Sequence, residues 1–357
     1  MTHTGPRSRT GPATHGETVD GLRRVDPREW DALAGEGAFH SSHHWLLAHE
    51  SMPGLATRYV LLRSGPDEGS ELLAAAPVSF TKYELTESYG QQRFAEAFGP
   101  GVRYALFGAR RGYRNPLLVS GAVPAERRPA VVAELVRAAL RACEELGAQA
   151  LVAPYLPEEA LGALTAAGTV RCSAPAPSEA VLALAGGGFE DYLSTLPSHR
   201  RVSIRHERAA LRELGLTLAV EEVRPGCAGQ LAGPLAQVER KYGSRATVPG
   251  LRRYLTDTFE DDPGHARLFT CRDAEGALVS AMLGYEWERG LYARATATDY
   301  ERLPPGAFAY FNVVYYEPVE YCLSRGLSTV YFGLGALGTK RARGCRELPL
   351  RHALLHA

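Results

Sequence analysis

The sequence predicts an α/β protein with mixed sheets, built from two similar halves. Three observations lead there. The chain has 357 residues, 45% hydrophobic and 22% charged, more than one ordinary domain needs and enough for each half to bury a core. Apolar runs of strand length alternate with helical periodicity along its whole length. The same order, strands followed by a long helix and one more strand, occurs twice, with the turn-rich stretch CSAPAPSE (172–179) between the two copies.

The elements follow in order. Residues 1–18, rich in Gly, Pro, Thr and Arg, read as a disordered leader; 19–175 form the first domain and 176–357 the second. Asp26 caps a short helix with Pro27 at its first position, and a second helix covers Ser41 to Ser51. Arg58–Arg63 and Glu71–Phe80, joined by SGPDEG, form a hairpin. Residues 81–122 read as a long irregular loop with a strand near Leu117. A helix at 124–146, a buried strand at 151–154 and a helix at 157–167 complete the half. The second half restarts with a strand at 180–184, a helix at 189–196 and a basic helix at 198–214. A strand at 216–222 and helices at 229–242 and 249–259 follow. Three successive strands (265–272, 277–287, 291–298) come next, then a long helix at 306–325. A strand at 329–332, a short helix at 339–343 and a strand near 348–350 end the chain. Antiparallel strands, a helix and one more strand are the core order of an acetyltransferase-like fold.

Composition narrows the function. Forty basic residues balance forty acidic ones, so no global field draws the protein to nucleic acid or membrane, and any polyanion site is local. Six cysteines lie far apart without a C-x-x-C, which reads as reduced thiols rather than disulfides or a zinc centre. The opening residues lack the apolar core of a signal peptide, and no run approaches the ~18 apolar residues of a membrane span. A cytoplasmic protein is expected. The histidines His40, His43 and His44 lack further ligands at metal spacing and read as polar surface; no metal is expected.

Phe332 to Arg341 contains G-x-G-x-x-G after a strand and before a helix. A dinucleotide fingerprint opens a βαβ unit with an acidic residue ~20 positions on, and the remaining chain leaves no room for one. The spacing is not that of a P-loop either. The lack of a recognisable triphosphate site argues against an ATP-driven ligase, so any acyl group is expected to arrive already activated. Gly335 and Gly338 let amides converge, and Lys340 adds a point charge for a phosphate or a developing oxyanion. On the basic helix, Arg201, Arg205, Arg208 and Arg212 share one face, a stripe suited to phosphates. In FNVVYYEPVEYCLSRGL, Pro318 removes a backbone donor and should open the helix locally. Asn312, Tyr316 and Glu320 share a face there. Glu317 or Glu320 becomes a general base if desolvated.

These residues resemble a bacterial family of peptidoglycan biosynthesis or recognition proteins, Fem-like members of the GNAT superfamily with tandem halves. FHSSHHWLLAHES, LPSHRRVSIRHERAAL, FNVVYYEPVEYCLSRGL and GALGTKRARG carry the likeness, over residues 39 to 344. The resemblance implies a tandem GNAT-like (acyl-CoA N-acyltransferase-like) fold. It also implies transfer of an amino acid from aminoacyl-tRNA to an amine or hydroxyl of a peptide or small molecule. Arg200, Arg201 and Arg205 match the family's basic helix, Tyr315 and Tyr316 its paired tyrosines, and Gly335, Gly338, Lys340, Arg343 and Gly344 its terminal loop. Two features depart from the pattern. Thr339 stands where the family has an acid and a histidine before the lysine. The coenzyme A signature [QR]-x-x-G-x-[GA] is replaced by Glu301-Arg302-Leu303-Pro304-Pro305-Gly306-Ala307, which disfavours acetyl-CoA.

The expected site is therefore Lys340, Tyr316 and Glu317 for catalysis. Arg200, Arg201, Arg205, Arg208, Arg212, Arg341 and Arg343 are expected to bind tRNA phosphates. Gly335, Gly338, Asn312, Tyr315 and Tyr242 are expected to bind substrate. No cofactor is expected beyond the activated donor. An acyl-CoA-dependent N-acyltransferase and a non-catalytic binder of peptidoglycan or nucleotide sugars are the alternatives.

Overall fold

The computed structural model describes residues 14–50, 52, 54–67, 69–82, 87–260 and 263–357. Two compact units emerge: Met1–Ala176 with Leu350–Ala357, and Pro177–Pro349. In chain order the elements are β1 (His15–Val19), α1 (Pro27–Ala34), α2 (His43–Glu50), β2 (Ala56–Arg63), β3 (Leu72–Phe80), α3 (Gln91–Phe98) and β4 (Tyr104–Phe107). Then come β5 (Leu118–Val119), α4 (Arg128–Glu145), β6 (Ala150–Leu156), α5 (Glu158–Ala166), β7 (Val170–Ala183), α6 (Phe189–Ser194) and α7 (Ser198–Glu213). After these lie β8 (Thr217–Glu222), α8 (Cys227–Lys241), α9 (Val248–Leu255), β9 (Ala266–Arg272), β10 (Leu278–Trp287) and β11 (Gly290–Thr298). The chain ends with α10 (Ala309–Phe311), α11 (Glu317–Arg325), β12 (Thr329–Gly333), α12 (Leu337–Arg341) and β13 (Arg346–Leu355).

In the first unit β1, β2, β3 and β4 pair antiparallel in sequence order, and β4 then pairs parallel with β6, Tyr104 opposite Ala150. The residues Arg351–Leu355 of β13 close the far side of β6 antiparallel. The apolar face of α4 covers β2 and β3, and its Val132, Leu135, Val136 and Ala139 enter a core with Val60, Leu62, Ala74 and Leu151. Asp26 caps α1 as its sequence predicts, accepting from the Arg28 amide at 2.7 Å.

The second unit repeats the order. Strands β8, β9, β10 and β11 pair antiparallel, and β11 runs parallel to β12 over three pairs, Gly290–Thr329, Leu291–Val330 and Tyr292–Tyr331. Ala180–Ala183 of β7 flank β12 on its other side. Helices α10 and α11 make the crossover that a parallel pair requires. Val313, Val314, Tyr315, Val319 and Cys322 fill the core between that crossover and the strands.

Several expectations change. Residues 1–13 of the expected leader lie outside the described residues, while His15–Val19 pair with Tyr59–Arg63 as a strand. Gly and Glu in that stretch are weak strand formers, so pairing with β2 rather than propensity orders it. CSAPAPSE is no loop but part of the 14-residue β7, whose alternating exposure tolerates two prolines. The region read as irregular holds α3 and β4, too short and too weakly patterned to stand out. The final residues from Leu350 belong with the first unit, not the second. His40 and His43 are buried rather than surface; His40 packs edge-on against Trp45, and His43 Nε2 lies 3.1 Å from the Leu22 carbonyl.

Candidate functional site

The site grows from three segments of the second unit. Helix α7 starts after Pro197, whose fixed φ suits a helix entry, and buries the face formed by Ile204, Glu207 and Leu211. Glu207 is thus a carboxylate on an apolar stripe. A buried charge needs partners, and the second segment supplies them.

That segment is the crossover. Pro318 denies α11 one amide donor, and the turn before it, Asn312–Tyr316, widens into a π-helical turn, the local opening that its sequence predicts. The widened turn buries Asn312, Tyr315 and Tyr316. The Tyr316 hydroxyl donates to the Glu207 carboxylate, and Asn312 Nδ2 donates to the Glu207 carbonyl at 3.1 Å. Ser203 Oγ donates to Glu207 Oε1, also at 3.1 Å. Burial and the neighbouring Glu207 carboxylate push the Tyr316 phenol above its ordinary range.

The third segment follows α12. Arg343 Nη2 sits 3.0 Å from Glu207 Oε2, and its guanidinium lies over the Phe311 ring at 3.9 Å and the Tyr315 ring at 5.0 Å. Asn312 Oδ1 and Arg343 Nε are buried there without a hydrogen-bond partner among the described residues. Glu207 therefore joins Tyr316, Asn312 and Arg343, three of the expected site residues. Sequence reasoning passed over Glu207 itself. Its signal was present: an acid at helical spacing between Ile204 and Leu211, on the apolar side of a basic helix.

Lys340 takes a different role from the expected movable charge. It is 6% exposed, and its amine donates to the carbonyls of Phe332, Gly333 and Leu334 at 2.7, 3.0 and 2.8 Å. The β11–β12 pairing ends at Tyr331, while β7 pairs as far as Gly333, and Lys340 adds donors at this end of β12. Burial lowers its pKa to about 8. Gly335 (φ 72°) and Gly338 lie exposed in the adjoining turn and α12.

Two of the four stripe arginines, Arg205 and Arg208, are paired with carboxylates from other segments. Arg205 pairs with Glu190, and Arg208 grips Glu320 through both Nη atoms at 3.0 and 2.7 Å while resting on the Phe189 ring. Arg201 donates to the Leu196 carbonyl, and Arg341 pairs with Glu347 at 3.1 Å. Arg343 is buried, not presented to a phosphate. Arg200 and Arg212 remain exposed. Next to Arg208 stands Glu317, whose carboxyl burial and Glu320 push up to about 7, with Arg208 opposing at 3.9 Å. Tyr242 lies outside this cluster, 76% exposed at the end of α8.

The loop from β11 to α10 carries Glu301 to Ala307, the stretch that the sequence matches to the missing coenzyme A signature. Here Asp299 Oδ1 already accepts from the amides of Glu301 and Arg302, at 3.1 and 3.3 Å, and from Gln237 Nε2 at 3.4 Å. An anion of the protein's own takes those amides. Among the described residues no group of three His, Cys, Asp or Glu side chains is placed to hold a metal ion, and no helix is long and apolar enough to cross a membrane.

With this geometry in view, the comparison with known proteins is decisive for the family. The model of the FemAB-like family, described as peptidoglycan biosynthesis/recognition, matches residues 21–356. The chain belongs to that family. No curated protein matches it significantly by sequence. Solved structures share the fold at low identity. FemX aligns with a TM-score of 0.63 at 13% identity, over 94% of this chain and 96% of FemX. L-PGS from Bacillus licheniformis aligns at 0.53 and 13%, over 94% and 92%. A tandem GNAT protein from the clavulanic acid biosynthesis pathway aligns at 0.50 and 16%, over 96% and 98%. Each half of this FemAB-like chain is accordingly a GNAT fold, and the family and fold together support an acyl- or aminoacyltransferase.

Proposed function

We propose that this FemAB-like protein moves an aminoacyl group from aminoacyl-tRNA to an amine or hydroxyl of a peptide or small-molecule acceptor, without a resident cofactor. The acceptor belongs to a cell-wall precursor or a specialised metabolite. The observation that carries the choice of donor is the Asp299 carboxylate. It takes the amides of Glu301 and Arg302, at the stretch matched to the coenzyme A signature, and would repel a pyrophosphate there. A donor joined through an ester to a ribose makes no demand on that loop.

The transfer needs little activation. The acceptor attacks the ester carbonyl, the new C–N or C–O bond forms, and the ribose hydroxyl leaves with the proton the acceptor gives up. Glu317, with its carboxyl near neutrality, suits the relay of that proton. Glu207 and Arg343 fix Tyr316 and Asn312 in the adjoining wall. Positioning of two reactants in one site supplies a large share of the acceleration.

A second reading keeps the fold and changes the donor: the clavulanic acid pathway neighbour is a tandem GNAT whose description refers to acetyl-CoA. One experiment separates the two. Purified protein is given charged tRNA and candidate acceptors, with and without ribonuclease, and coenzyme A binding is measured in parallel. Product that vanishes with ribonuclease is the expected result. Ribonuclease-insensitive turnover with saturable coenzyme A binding would transfer the assignment to acyl-CoA. Retained binding of peptidoglycan fragments with no turnover from any donor would make the protein a recognition module.

A further inference from the structure

Tyr242 is the residue of the expected site that the polar cluster leaves out, and its setting is unusual. Tyrosine rings are normally at least half covered, yet this one is 76% exposed, and Tyr300 beside α8 is 42% exposed. Neither is loosely held. After α8 the chain turns through Gly243, with the Gly243 amide on the Arg240 carbonyl and the Ser244 amide on the Glu239 carbonyl, both at 3.0 Å. That closure fixes the backbone of Tyr242. Tyr300 is pinned by Gln237, whose Oε1 accepts its amide at 2.9 Å, and one turn later Lys241 places its amine 5.1 Å from the Tyr300 ring centroid. The backbone under both rings is thus fixed.

Their surroundings favour an anion. Arg240, Lys241 and Arg245 are exposed, and none has an acidic partner at ion-pair distance among the described residues. The acids on the same segments are Glu239, Glu301 and Asp299, and Asp299 is already engaged by amides and by Arg302. The rings also lead inward. Tyr242 and Tyr300 both act electrostatically on Tyr310, whose ring lies 6.1 Å from Tyr315, and Tyr315 flanks the Arg343 guanidinium. Tyr310 and Tyr315 thus lie between the neighbourhood of the exposed pair and the buried Glu207 cluster.

We infer that Tyr242 and Tyr300, with Lys241, form a stacking platform for the unpaired 3′-terminal nucleotides of an RNA donor, leaving the attached ester directed along Tyr310 and Tyr315. Exposed aromatic rings beside cations are what a single-stranded nucleic acid end requires, since every base offers a π-face and every linkage a negative charge. A duplex, with its bases already stacked, has no use for such rings. This inference rests on the proposed use of aminoacyl-tRNA and names the contacts that use needs.

The test is binding of a short single-stranded RNA ending in CCA, beside a blunt duplex of the same sequence, by fluorescence anisotropy. Charged-tRNA turnover is measured on the same preparations. Exposed substitutions of this kind leave folding nearly unchanged. Tyr242→Ala and Tyr300→Ala should each weaken the single strand roughly tenfold and raise the KM for charged tRNA, while Tyr242→Phe and Tyr300→Phe keep wild-type affinity. Lys241→Ala should flatten the dependence on salt. If the protein uses charged tRNA but the alanine variants bind the single strand and turn over as the wild type does, the platform is wrong and the proposed function stands. If the alanine variants lose affinity for the acceptor instead, the rings belong to the acceptor and the inference falls. If the wild type neither binds the single strand nor uses charged tRNA, both readings fall together.

Discussion

Arg343 and Glu207 meet across 136 residues of sequence, with Nη2 3.0 Å from Oε2 in a site that exposes little of either side chain. The pair organises the cluster: Glu207 holds the Tyr316 hydroxyl, and Arg343 lies against three aromatic rings of the crossover. Breaking a buried ion pair strands one charge and costs about 3–5 kcal/mol. Arg343→Met and Glu207→Ala should each destabilise the protein on that scale in urea unfolding. The double variant should cost less than the sum, because the second change removes the charge the first left unpaired. Additive losses would show that the two do not act as a pair.

Lys340 is expected to behave as a structural residue. Lys340→Met removes a donor from the buried Phe332 and Gly333 carbonyls and the part-buried Leu334 carbonyl, and a buried carbonyl left unpaired costs on the order of 1–3 kcal/mol. The melting temperature should fall by several degrees along with activity. A variant with unchanged melting and lost turnover would restore Lys340 to the chemistry.

Glu317 sets a pH dependence. Its carboxyl rises from 4.5 to about 7 on folding, so between those values the folded state holds a proton that the unfolded state has released. Stability from this group is complete below about 4.5 and is lost as pH climbs through about 7, a difference of about 3 kcal/mol at most. Glu317→Gln should abolish that slope in unfolding curves taken from pH 4 to 8. If Glu317 relays the acceptor's proton, wild-type turnover rises through the same window and the Gln variant loses the rise. An unaltered pH–rate profile in that variant would remove Glu317 from the relay.

In the first unit Gly112 fits against His40 with no room for a side chain: an added Cβ would lie 2.2 Å from the His40 Cβ. His40 is itself held edge-on by Trp45 at 5.0 Å and cannot retreat freely. Gly112→Ala should cost about 1–3 kcal/mol by overpacking, seen as a lower urea midpoint. Equal midpoints for the two proteins would mean that the loop yields without cost.

What the sequence determined by itself is the local part of this protein. Asp26 before Pro27 sets a capped helix start, the turn residues at 64–69 set the β2–β3 hairpin, and Pro318 makes an unbroken α-helix from 306 to 325 impossible. Each of these depends on neighbours within a few residues, so periodicity and backbone chemistry suffice. Tertiary structure decided which charges are free. A count along α7 gives a positive stripe, but Glu190 and Glu320 reach Arg205 and Arg208 from other segments, and Lys340 spends its hydrogens on a strand end. It also decided that β1 is a strand, since weak local preference is outweighed by hydrogen bonds to a neighbouring strand, and that residues 172–179 continue into the strand expected at 180–184. Charge pairing and burial are set by groups distant along the chain, and only folding brings them within a few ångströms.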